Sequence, residues 1–301
     1  MLRKLRKISR RKWILIWRNR QKKMRKGGRG YFFLLPSLLG TGGFVFLPFL
    51  DVIRRSFFTA VGNRFVGLQN YRAVLENTAF HLAAENTARF MALCVPLLLL
   101  LSLFAAVMVW QVLQERRIFK TGFLIPMAIP AASAAVFFRM VFDRSGWLNG
   151  LLGGLGIAGR DWLASDSAFW VLTACYIWKN LGYDMILWLA GLCAVPREQY
   201  EAARVQGAGR AACFVYITLP QLTETAFVTT LLSFINAFRV FREAYLIAGD
   251  YPHESIYMLQ HLFNNWFTSL DIQKMTAAAV MLVLLIGGIL FGNEIYTKRS
   301  G

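Results

Sequence analysis

Between Phe90 and Leu113 the chain runs without a single charged residue. A helix of about 20 apolar residues crosses the roughly 30 Å hydrocarbon layer of a bilayer. Lipid offers no hydrogen bonds to a bare backbone, so such a run must be helical. Five further segments read the same way: Tyr31–Leu50, Thr121–Phe138, Ala168–Ala194, Thr223–Ile247 and Met275–Asn293. The expected fold class is therefore all-α, a polytopic membrane protein with six transmembrane helices.

The charges orient these spans. Fourteen of the 34 Lys and Arg residues lie between Arg3 and Arg29, with no Asp or Glu among them. Six spans starting inside return the C-terminus to the inside. On that topology the inner segments carry 22 basic residues and the outer segments six, the bias expected of cytoplasmic loops. The reading divides the chain into a basic cytoplasmic tail (1–30), a permease domain (31–296) with an inner loop at about 195–220, and a short cytoplasmic tail (297–301). Within the first tail, residues 13–17 (WILIW) are too few to span. They read either as a membrane-surface anchor or as part of a solvated tail.

A net charge of +18 raises the question of nucleic acid. The charge is concentrated in a tail before an apolar run, and no readable nucleic-acid module follows, so no nucleic-acid partner is expected; the tail is suited to anionic lipid headgroups instead. Cys94, Cys175, Cys193 and Cys213 form no CxxC pair and read as small buried hydrophobes. His81, His253 and His261 are scattered, and no metal site is expected. Residues 154–159 form a formal GxGxxG, but no strand precedes it and it falls outside the cell, so it reads as a flexible loop. No GxxxxGK[ST] is present, so the chain has no phosphate-cradling loop. Residues 51–88 and 142–167 are long enough to carry short helices outside the membrane.

The inner loop Val195–Pro220 (VPREQYEAARVQGAGRAACFVYITLP) is the most informative stretch. Pro196 suits the first position of a helix and Gly207 its stop. Glu198 and Glu201 sit early, where the helix dipole favours anions. Ala202 and Ala203 leave a smooth patch that another protein can approach closely. A second short helix is expected after Gly209, leading through Leu219-Pro220 into span five. On these grounds alone the segment reads equally as a docking helix or as an ordinary amphipathic connector.

The spacing adds a resemblance. Glu201-Ala202-Ala203, three residues, Gly207, nine residues, Ile217, one residue and Leu219-Pro220 resembles the EAA motif of binding-protein-dependent ABC importer permeases. Leu35-Pro36, residues 65–71 (FVGLQNY), Leu124-Ile125-Pro126 and Trp147-Leu148-Asn149 resemble the sugar-permease branch, which includes maltose and glycerol-phosphate permeases. One position departs from the pattern: relatives often carry Asp before the motif glycine, and here it is Gln206. The resemblance implies the type I ABC importer transmembrane fold. It makes the loop a coupling helix that docks on an ATP-binding subunit, with Glu201 as polar anchor, Ala202 and Ala203 as contact face and Gly207 as turn. It also implies a second related permease in a heterodimer, two ATPase subunits, an extracytoplasmic solute-binding protein and a carbohydrate solute. ATP and Mg would sit on the partners, and this chain would bind no cofactor.

Charges within a span are costly and usually face a cavity or a partner. Lys179, Asn180, Tyr183 and Asp184 in span four, with Asn236, Arg239, Arg242 and Glu243 in span five, are the expected lining of a solute route. The same residues can instead pair structurally, Lys179 with Asp184 and Arg239 with Glu243. An ion-driven carrier is the competing transporter class; it calls for repeats and intramembrane acidic relays. Asp184 is the sole carboxylate deep in a predicted span, and no convincing repeat is seen. A non-sugar ABC importer solute is the other alternative, and no catalytic cluster points to an enzyme.

Overall fold

The computed structural model describes residues 34–112, 125, 126 and 128–300. The basic tail 1–30, Leu113 and residues 121–124 of the expected third span lie outside these. Among the described residues the protein is helical, with one isolated bridge between Phe58 and Phe65 as its sole extended pairing. Two compact units form: Met1–Val74 with Asp271–Gly301, and Leu75–Leu270.

In the first unit, α1 (Leu34–Ser56) is long and apolar enough to cross a membrane. Its turns widen to π geometry at Gly42–Phe46, directly before Pro48, whose ring and missing N–H disrupt regular bonding to the preceding turn. A knot of the FVGLQNY residues pins its end. Asn70 Nδ2 donates to the carbonyls of Ser56 (2.9 Å) and Phe58 (3.1 Å), and Ser56 Oγ lies 2.7 Å from the Tyr71 hydroxyl. Asn70 and Tyr71 belong to α2 (Gln69–Leu75). The unit closes with α12 (Ile272–Ser300), which packs on the second half of α1.

The second unit holds α3 (Thr78–Val112), α4 (Ala131–Phe142), α5 (Trp147–Gly154), α6 (Ser167–Ala194), α7 (Arg197–Val205), α8 (Arg210–Gln221), α9 (Thr223–Phe238), α10 (Phe241–Ala248) and α11 (Leu259–Thr268). α6 is its axis. It packs most extensively on α3 and also touches α4, α9 and α10. Phe90, Leu98, Phe169, Leu172 and Tyr176 form one buried cluster; Ala106, Met185, Trp188, Leu192 and Leu222 form another. Trp188 Nε1 donates to Ser102 Oγ at 3.1 Å, satisfying an indole that would otherwise be buried unpaired. At Gly191 a Cβ would come within 2.9 Å of Leu222 and closer still to Thr225, so α6 and α9 meet backbone to side chain there.

The helices depart from the expected spans in informative ways. α3 begins twelve residues before Phe90, because residues 78–89 continue the helix beyond the uncharged run. The third span is not continuous through its proline pair: Pro130 adopts ψ 143° and a fresh helix starts at Ala131. The fifth is bent by 65° between α8 and the segment Thr223–Ala248, and it turns again at Arg239-Val240. α3 and α1 are the two unbroken helices among the described residues that are long and apolar enough to cross a membrane, and the bent pair is a third if counted as one span. α6 is 28 residues long, but Lys179, Asn180 and Asp184 dilute its hydropathy. α12 is 29 residues long, and its stretch Ile272–Gly288 is apolar. Of the four free cysteines, Cys94, Cys175 and Cys213 are buried, whereas Cys193 is exposed, contrary to its expected burial.

Asn149 organises the loop after α5. Its Nδ2 donates to the carbonyls of Asp143, Arg144 and Arg160, and its Oδ1 accepts from Arg160 N and from Trp162 Nε1 at 2.8 Å. The glycine-rich stretch is a loop closed over this amide, with Gly156 at φ +74°. A Cβ at Gly159 would sit 2.9 Å from the Asn149 side chain. Asn149→Ala is expected to destabilise the purified protein by about 1–3 kcal/mol and to open residues 155–163 to limited proteolysis; an unchanged cleavage pattern would contradict this role.

Candidate functional site

Two places bring the expected residues together. The first is the inner loop. Pro196 stands at the N-cap with extended backbone (ψ 130°) rather than at the first helical position, and α7 runs from Arg197 to Val205. Gly207 adopts φ +86°, a left-handed conformation that costs a side-chain-bearing residue strain. Ala208 N donates to the Ala203 carbonyl (2.9 Å) and Gly207 N to that of Arg204 (3.0 Å). This paired pattern is the Schellman stop of a helix. α8 follows Gly209 and contains a second π segment, Phe214–Thr218, again just before a proline, Pro220.

α7 has two distinct faces. On one, Tyr200 packs on the Trp110 ring of α3 (centroids 5.7 Å) and its hydroxyl meets Thr218 Oγ1 of α8 at 2.8 Å. Gln199 joins Gln221 of α8 through a side-chain hydrogen bond. On the other, Glu201 and Ala202 are exposed and Val205 is 90% exposed, while Ala203 (half-buried) and Arg204 (exposed) flank Tyr200 three and four residues on. Tyr216 and Leu219 of α8 add exposed apolar surface, while Ile217 is half-buried. Exposed apolar groups beside a helix held by its opposite face mark an interaction surface.

The second place is a cavity of about 330 Å³ lined by Tyr176, Lys179, Asn180, Asn236, Arg239, Phe241, Arg242, Glu243 and Gln260. Six of the eight residues expected to line a route are here. Tyr183 and Asp184 are not. Lys179 Nζ pairs with Glu243 Oε1 at 2.6 Å, with both side chains largely buried. This corrects both pairings considered from the sequence. Lys179 and Asp184 are five residues apart, about 140° around a helix, and so face different ways. Arg239 and Glu243 are separated by the turn that divides α9 from α10. Asp184 instead lies buried against α9, where its Oδ2 accepts from Ser233 Oγ at 2.5 Å.

Tyr176, Phe241 and Gln260 were missed. Tyr176 precedes Lys179 and Asn180 by three and four residues, the spacing of one helix face, so its signal was present. Phe241 and Gln260 carried none, because their position depends on the turn before α10 and on the approach of α11. The Phe241 ring meets that of His261 edge-on at 4.7 Å. His261 is completely buried in α11, outside the expected spans, with Nδ1 accepting from Met258 N. Burial lowers its imidazole to about 4, against a smaller opposing pull from Asp250.

Residues 91–297 match the family described as binding-protein-dependent transport system inner membrane component. The chain is 30% identical over 270 residues to the trehalose/maltose transport system permease protein MalF of Thermococcus litoralis, covering 88% of this chain and 92% of that one. It is 29% identical to the probable ABC transporter permease protein YurN of Bacillus subtilis, covering 85% and 91%. Its fold matches that of a bacterial alginate ABC transporter crystallised with an alginate pentasaccharide-bound periplasmic protein, with TM-score 0.79 at 19% identity over 93% of this chain and 98% of that one.

Two outcomes follow. Glu243→Gln, which strands the Lys179 ammonium, is expected to cost about 3–5 kcal/mol, and the double change Lys179→Met with Glu243→Met much less; thermal unfolding of the three variants measures this. For His261 the neutral form is favoured in the folded state, so the unfolded chain binds more protons between about pH 4 and 6.5. Stability is therefore lost as pH falls through that window, by on the order of 2–3 kcal/mol. His261→Gln should flatten the loss in thermal-shift measurements at pH 7 and pH 5.

Proposed function

The chain belongs to the binding-protein-dependent transport system inner membrane component family, which makes it a membrane-embedded transport subunit and not an enzyme, and we propose that it forms half of a carbohydrate route across the bacterial cytoplasmic membrane. Relatives named for trehalose and maltose, arabinooligosaccharide and glycerol-phosphate transport favour a sugar-type solute. Six spans carry the chain across, with both termini inside. α1, α3 and α12 supply three of them. The interrupted segment around α4, the polar α6 and the bent α8–α10 supply the others; broken helices are usual where a span lines a transporter cavity.

In this reading α7 is the coupling helix. Two ATPase subunits, which hold ATP and Mg, grip it and its counterpart on a second, related permease. An extracytoplasmic binding protein delivers the solute. Closure of the ATPases favours one arrangement of the spans over the other because their contacts differ between the two states. Lys179, Asn180, Asn236, Arg239, Arg242 and Glu243 line the route on this side.

The observation that carries this reading is the two-faced α7: one face is hooked to α3 and α8, while Glu201 and Ala202 of the motif are exposed and Ala203 is half-buried. Ala203→Glu is expected to reduce the ATPase that co-purifies with the tagged permease at least tenfold and to abolish solute accumulation in proteoliposomes. Full ATPase recovery together with full uptake would refute the coupling role.

A further inference from the structure

The cavity is not electrically balanced. Lys179, Arg239 and Arg242 supply three cations to its wall, and Glu243 supplies one anion. The 2.6 Å Lys179–Glu243 pair cancels one of each. Arg239 and Arg242 remain, and neither side chain has a hydrogen-bond or ion-pair partner among the described residues. Both come from the interrupted stretch of the fifth span. Arg239 ends α9 with φ −89° and ψ 7°, and Arg242 lies in the first turn of α10. The break sets the two guanidiniums three residues apart on one wall.

Both arginines are exposed on the cavity wall, so their guanidiniums are open to an incoming counter-charge. Arginine is also the side chain best matched to carboxylate and phosphate, because its planar fork donates two parallel hydrogen bonds. The rest of the wall suits a sugar. Asn236 and Gln260 offer amides for hydroxyl groups, and the half-buried Phe241 offers a ring against which a pyranose can lie. Asn180 spends one Nδ2 N–H on the Tyr176 carbonyl at 2.8 Å and has a second N–H and its Oδ1 to offer.

We propose that the solute is an acidic carbohydrate, whose carboxylate or phosphate is received by Arg239 and Arg242. This rests on the reading of the cavity as part of the solute route. The anion neutralises the two arginines, the Lys179–Glu243 pair stays intact beside it, and the amides and the Phe241 ring hold the sugar.

The test uses the whole importer, with its second permease, ATPases and binding protein, reconstituted in proteoliposomes. The panel holds uronate oligosaccharides, sugar phosphates and neutral oligosaccharides of matched length, and accumulation is read by mass spectrometry. The expected result is ATP-dependent uptake of a uronate or a sugar phosphate, whichever moves identifying the anion. The matched neutral sugar should move at least tenfold more slowly. Arg239→Gln with Arg242→Gln should reduce uptake of the acidic solute at least tenfold, and the double Lys replacement, which keeps the charge, should recover part of it. Co-purification of all subunits checks that each variant assembles. If the Gln variant does not assemble, the Lys variant carries the test: its unchanged uptake of a neutral sugar in preference to every acidic one overturns the proposal. So does failure to accumulate any acidic member, or acidic uptake indifferent to loss of both arginines. Asn236→Ala separates the two levels of the argument. If it impairs uptake of a neutral solute while the arginine changes do nothing, the cavity remains the route and the acidic specificity falls. If neither change affects uptake, the route itself lies elsewhere.

Discussion

The contact between Lys179 and Glu243 is the constraint around which the second unit is arranged. An ammonium and a carboxylate withdrawn from water lose several kcal/mol each in solvation, and they recover it only at close range and in good geometry. At 2.6 Å the two groups tie α6 to α10, and the extensive packing of α6 on α3 sets its rotation. That rotation sends Asn180 and Tyr176 into the cavity and Asp184 toward Ser233 on α9. It also leaves the apolar faces of α6 for Phe90, Leu98 and Met185 to cover. The polar cavity and the apolar core are two consequences of one helix orientation.

Much of this was legible in the residues. Uncharged runs located the unbroken helices α1 and α3, and the inner loop gave both of its helices, because caps and stops act over a few residues and leave local marks. Gly207 is the clearest case: a left-handed stop needs a residue without a side chain, and the sequence supplies one in the right place. Six of the eight polar residues singled out line one cavity, because polar groups in an apolar run have few places to go.

What was not legible depends on contacts between distant segments. The partner of Lys179 is 64 residues away, on a helix whose direction is set by the turn at Arg239-Val240. No spacing rule reaches across such a turn, so the nearer carboxylate, Asp184, was the partner considered for Lys179. Gln260 and Phe241 enter the cavity wall for the same reason. The break at Pro130 was not read from the sequence although its cause is local, and the π segments before Pro48 and Pro220 are relaxations of the preceding turn that composition does not announce.

The attachments of α7 have a mechanical consequence. Tyr200 holds α3 through Trp110 and α8 through Thr218, and Gln199 holds α8 a second time. α8 leads through the bend into α9, and α3 and α9 both pack on α6. A displacement of α7 therefore reaches α6 along two neighbours at once. On the reading of α7 as the docking helix, it would act as a yoke across two helices rather than as a piston on one, and both of those helices lean on α6, which carries one wall of the cavity.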